Sequence, residues 1–119
     1  MAGIIVAYEP VWAIGTGHVC EPKKASDVIK KIRNLIGVIY GAKAKDAVRI
    51  IYGGSINEKN VAGFVKQTEV DGFLVGGSSL DHKTFASIVA TVDGGKPTIR
   101  KTTRPTSTKK AKKAVKRSK

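Results

Sequence analysis

A carboxylate placed directly after an apolar, β-branched run is the first feature of this sequence with the means to do chemistry. Glu9 ends the run Gly3-Ile4-Ile5-Val6-Ala7-Tyr8 and is followed by Pro10-Val11-Trp12-Ala13-Ile14-Gly15-Thr16-Gly17. A proline hinge, an apolar tip and a Gly-Thr-Gly hinge describe a loop able to fold over that carboxylate. Loss of water raises a carboxylate's basicity, which a general base requires. Two more apolar runs close on glycine pairs, Ala47 to Tyr52 on Gly53-Gly54-Ser55, and Gly72 to Val75 on Gly76-Gly77-Ser78-Ser79. A Gly-rich turn that feeds a helix exposes backbone N–H groups with a favourable dipole and holds a phosphate without a lysine. One glycine pair is by default a tight turn, and one carboxylate by default a surface charge. Their repetition at three strand ends favours a binding site.

These residues need elements to bring them together. Each run is short, continuous and bounded by Gly or Pro, as expected of parallel strands buried on both faces, near residues 3–8, 47–52 and 72–75. Between the first two, Ala25, Val28, Ile29, Ile32, Leu35 and Ile36 recur at helical spacing, with Pro22 suited to the first turn and Gly37 to the stop. Val61, Phe64 and Val65 mark a second helix, and Phe85, Ile88, Val89 and Val92 a third. The order βαβαβα implies a parallel sheet with right-handed crossovers. In such sheets ligands bind at the carboxyl ends of the strands, where Glu9, Ser55 and Gly76-Gly77 all fall.

The strings Ala7-Tyr8-Glu9-Pro10-Val11-Trp12-Ala13-Ile14-Gly15-Thr16-Gly17, Ile51-Tyr52-Gly53-Gly54-Ser55 and Val70-Asp71-Gly72-Phe73-Leu74-Val75-Gly76-Gly77-Ser78-Ser79-Leu80 resemble the last third of the triosephosphate isomerase family, over about residues 4–92. The resemblance implies an α/β fold, a partial (β/α)8 TIM barrel of three C-terminal βα units. It implies interconversion of dihydroxyacetone phosphate and D-glyceraldehyde 3-phosphate, a step of glycolysis and gluconeogenesis, with no metal and no cofactor. Glu9 would be the base that moves a proton through an enediolate. Pro10 to Gly17, including Trp12, would be the lid, with Ile14 and Leu74 clamping the carboxylate. Backbone N–H groups of Gly15, Ser55, Gly76 and Gly77 would hold the phosphate, while Tyr52 and Ser55 latch the lid. The comparison also pairs Arg33 with Asp71. His18 and His82 match no catalytic histidine of the family and read as surface residues.

A complete barrel of this kind has eight βα units in about 250 residues. The family's electrophilic histidine, its substrate-binding lysine and asparagine, and its dimer loop belong to the five units without a counterpart here. Three strands leave edges unpaired and one face rich in Val, Ile and Phe uncovered, so the chain is expected to need a partner, either a complementing N-terminal barrel half or a second copy.

Composition divides the chain in two. Of 119 residues, those numbered 1–95 hold 11 Lys/Arg against 9 Asp/Glu, and those numbered 96–119 hold 11 Lys/Arg with no acid. The expected organisation is a barrel segment over 1–93 and a disordered Lys-rich tail over 94–119, which resembles the basic tails of linker histones. Such a tail fits nonspecific association with nucleic acid, and without an aromatic residue it lacks the means to stack on bases. A noncatalytic barrel remnant carrying such a tail is the alternative to the enzyme. One cysteine, no apolar run of membrane-spanning length and no basic lead-in at Met1 fit a cytoplasmic protein without disulfides.

Overall fold

A computed structural model of the protein describes residues 3–16 and 18–95. Gly17 of the expected lid and the basic residues 96–119 lie outside the described residues. Three parallel strands, β1 (Ile5–Tyr8), β2 (Arg49–Gly54) and β3 (Gly72–Val75), form one sheet in the order β1-β2-β3. Helices α1 (Pro22–Tyr40), α2 (Ala42–Ala47), α3 (Val61–Val65) and α4 (His82–Gly95) alternate with them. The sheet is parallel and open with helices between its strands, the α/β arrangement expected of a partial barrel.

Register sorts the side chains by the two-residue period of a strand. Val6 pairs with Ile50, Tyr8 with Tyr52, and Tyr52 with Phe73. This face meets the helices. Ile50 and Tyr52 are fully buried with Ile29 of α1, Val61 and Phe64 of α3 and Ile88 of α4, and Phe64 stacks on Tyr52 at 4.6 Å between ring centroids. The alternate residues Ile5, Ala7, Ile51 and Leu74 belong to the other face, where Ile5 is 60% and Leu74 47% exposed.

The expectation of strands buried on both faces therefore holds only for the helix side. A continuous apolar run marks a strand built for two covered faces, but three strands cannot curl far enough to cover their own concave side. The uncovered face also differs in composition from expectation, because Val6, Phe73 and Val75 belong to the helix side. Helix α1 passes through Gly37 and stops at Gly41, whose φ of 95° is a conformation open mainly to glycine. Gly37 serves packing instead. A Cβ there would lie 3.0 Å from the Lys45 side chain of α2. Ala47 and Val48, expected in the second strand, end α2 and link it to β2.

Arg33, in the middle of α1, is 4% exposed. Its guanidinium donates to Asp71 Oδ2 at 2.7 Å, Glu69 Oε2 at 3.1 Å and the carbonyls of Val48 at 2.9 Å, Glu69 at 3.0 Å and Lys45 at 3.2 Å. The same Asp71 oxygen accepts from the Ile50 amide at 2.8 Å. One buried cation thus joins α1 to the starts of β2 and β3. Among the described residues no helix is long and apolar enough to cross a membrane.

Candidate functional site at the strand ends

The strand ends open on a cleft of about 380 Å³ lined by Glu9, Ile14, Gly15, Ser55, Gly76 and Gly77, together with Gly54, Ile56, Asn57, Leu74 and Ser78. Every residue read from the sequence as base or phosphate ligand lies on this one wall. Parallel pairing causes the convergence: with all three strands running the same way, each βα turn emerges on the same side.

Glu9 directly follows β1, and its side chain lies against Gly53 of β2. A Cβ at Gly53 would come within 2.7 Å of Glu9 Cγ, so this glycine provides the space the carboxylate occupies. Gly54 does the same for the ring of Tyr52 on the opposite face, where a Cβ would overlap the phenol. The Glu9 side chain is exposed, contrary to the desolvation expected from the loop's composition. Trp12 and Ile14 are 54% and 48% exposed, so the apolar tip faces solvent and leaves the carboxylate uncovered.

The loop itself is braced. A 3-10 turn spans Val11–Ala13 behind the buried Pro10, and Ala13 is fully buried. Thr16 Oγ1 donates to the Trp12 carbonyl at 2.7 Å and accepts from the His18 amide at 3.1 Å. Gly15 has φ of 64°, a conformation open mainly to glycine, and no neighbour would meet a Cβ there. Ser55 Oγ donates to the Ala13 carbonyl at 3.0 Å and ties the loop to the turn after β2. That turn is held from below by Asn60, whose side-chain amide donates to the Ser55 carbonyl at 2.7 Å, and by Asn57, whose Oδ1 caps the Lys59 and Asn60 amides.

Tyr52 does not reach the loop tip. Its ring is fully buried among Tyr8, Phe64 and the helices, and burial pushes its pKa up to about 12. The hydroxyl lies beside the Cys20 backbone, close enough for that backbone to favour the ionised form, yet no described residue gives it a well-formed hydrogen bond. Burial likewise pushes up the Cys20 thiol. After β3, Gly76 and Gly77 meet nothing that a Cβ would touch, and Ser79 folds back with its amide at 2.9 Å and hydroxyl at 2.6 Å from the Gly76 carbonyl. The result is a turn whose glycines leave open space facing the cleft.

Sequence reasoning missed Gly53 as the seat of Glu9, and Asn57 and Asn60 as the frame of the Ser55 turn. The spacing Asn-x-x-Asn was a readable signal for the latter, since asparagine side chains substitute for backbone in turns. His18 and His82 are exposed. Among the described residues no group of three or more His, Cys, Asp or Glu is placed to hold a metal ion.

The family model described as "Triosephosphate isomerase" matches residues 1–92. Similar proteins named triosephosphate isomerase include those of Bifidobacterium longum (strain DJO10A), 53% identical over 87 residues, and Caldanaerobacter subterraneus subsp. tengcongensis, 51% identical over 86 residues. A third, from Mycobacterium ulcerans, is 48% identical over 92 residues. The matches cover 73%, 72% and 77% of this chain but 33%, 35% and 35% of those relatives, so the chain spans about a third of their length. The matched region takes in all three strands and the whole wall of the cleft, and the chain belongs to the triosephosphate isomerase family.

Proposed function

We propose that this chain supplies the base, the lid and the phosphate-binding turns for the interconversion of dihydroxyacetone phosphate and D-glyceraldehyde 3-phosphate. The observation that carries this reading is the single cleft in which Glu9 shares a wall with Gly15, Ser55, Gly76 and Gly77. The Glu9 carboxylate takes a proton from the carbon beside the substrate carbonyl and returns it to the neighbouring carbon through an enediolate. Amides of the three glycine-bearing turns bind the dianionic phosphate, and the anchored substrate presents its carbon skeleton to Glu9. Closure brings Ile14 down against Leu74, removes water from the carboxylate and strengthens it as a base.

The developing enediolate oxygen also needs a donor, and preorganised charge of this kind is often the largest catalytic contribution. Among the described residues the cleft wall carries no cationic side chain for that oxygen. A complementing barrel half would supply it, so residues 1–93 act as the C-terminal segment of a larger assembly. The test is production of the chain with the N-terminal two-thirds of the Bifidobacterium longum relative. Turnover is expected for the pair and not for the chain alone, with a fall of roughly 10²–10⁴-fold in Glu9→Gln. Undiminished turnover in that variant overturns the assignment. The charge on residues 96–119 supports a second and separate reading, association with nucleic acid through the tail.

A further inference from the structure

The apolar positions of α1 divide between two faces. Ala25, Ile29 and Ile36 are buried in the core, whereas Val28 and Ile32 are half-buried and Leu35 and Ile39 are 58% and 59% exposed. The last four follow one another at steps of four, three and four residues, so they form one stripe along the helix, with the spacing by which one helix packs on another. Helix α2 does not cover it, because α2 meets Gly37, about half a turn around the axis from the stripe. Strands β2 and β3 lie to one side of β1, which leaves its other edge without a strand among the described residues. Lys24 and Lys31 border the stripe on its solvent side, each four residues before a stripe residue. Both are exposed and neither has an ion-pair partner among the described residues, whereas Lys23 is offset by Asp27 at 3.6 Å.

From this stripe we propose that α1 docks an amphipathic helix flanked by carboxylates, supplied by the barrel unit whose strand pairs with the free edge of β1. The inference rests on the complementation reading and adds the chemistry of the partner. In a barrel the helices form a ring around the strands, so a strand added at β1 brings its helix against the side of α1 that now faces solvent. Two lysines seven residues apart stand where paired helices choose each other by charge, and they favour Asp or Glu opposite. The same charge disfavours a second copy. A two-fold pairing would set Lys24 and Lys31 against their own equivalents. A head-to-tail copy would offer α4, whose 14 residues hold one acid, Asp93, and one lysine, Lys83.

The experiment mixes the full chain with the N-terminal two-thirds of the Bifidobacterium longum relative and follows assembly by sedimentation. Leu35→Gln with Ile39→Gln should weaken assembly at least about tenfold. The urea midpoint of the chain alone should not move, because both side chains already face solvent. Lys24→Glu with Lys31→Glu should weaken assembly about tenfold or more at about 10 mM ionic strength, and far less at about 1 M, where charges more than roughly 3 Å apart are screened. Lys30→Glu, away from the stripe, with Lys43→Glu on α2 makes the same change in net charge at exposed sites and should have little effect. Absence of assembly by the parent chain overturns the complementation reading and this inference with it. Assembly indifferent to the Leu35 and Ile39 substitutions overturns the docking stripe alone, and equal effects of the two lysine pairs overturn the acidic partner. If the Leu35 and Ile39 substitutions instead abolish self-association of the chain alone, the occupant is a second copy and the choice of partner is overturned.

Discussion

A methyl group at position 53 would lie 2.7 Å from Glu9 Cγ, so that one position controls where the carboxylate stands. Because Glu9 is exposed, Gly53→Ala displaces the side chain into solvent and leaves the core untouched. Stability is therefore expected to change by no more than about 1 kcal/mol, while turnover of the complemented assembly falls by roughly 10²-fold, the usual cost of a misplaced catalytic group. Urea melts beside turnover assays check this, and equal losses in both would show a structural role instead. Tyr52 allows a prediction about pH. Its pKa of about 12 lies above the ordinary 10.0, so the unfolded chain gives up this proton first. The neutral phenol's contribution is complete below pH 10 and disappears as the pH rises through about 12. Tyrosinate absorbance should show one of the three tyrosines ionising only as the fold is lost, a component absent from Tyr52→Phe.

Between elements, the Arg33 guanidinium joins a helix to two strand starts, and it is buried, so loss of one partner leaves charge without compensation. Arg33→Met is expected to destabilise the protein by about 3–5 kcal/mol, and a cycle with Asp71→Asn should show coupling above about 1 kcal/mol. Denaturant melts of the four proteins decide it, and additive effects would remove the pair as the link between these elements. This pair entered the sequence reading only through family resemblance, since no local rule joins residues 38 apart. What the residues did disclose was local. Apolar runs gave the strands, helical spacing gave α1, and glycine pairs at strand ends gave the wall of the cleft. Less readable was anything set by contacts across the fold. Gly37 looked like a helix stop because its packing against Lys45 comes from a different helix, and Glu9 looked buried because loop composition says what a lid is made of, not where it rests.

For the molecule as a whole, the decisive asymmetry is between the two faces of its sheet. The helix face holds the core, whereas the open face exposes Ile5 and Leu74, and β1 and β3 form the edges of the sheet. Unpaired parallel edges beside apolar surface promote association, and closing a barrel removes edges altogether. The chain alone should therefore gain mass with concentration in sedimentation velocity. Ile5→Lys places a charge on the open face, where it costs the folded chain little because the site is already 60% exposed. That variant should remain monomeric with an unchanged urea midpoint. In the complemented assembly the same lysine would have to lose its water inside a closed barrel, so the substitution should abolish assembly that the parent chain supports. A parent chain that stays monomeric at every concentration, or a lysine variant that assembles as readily as the parent, would mean that this face is finished as it stands and needs no further strands.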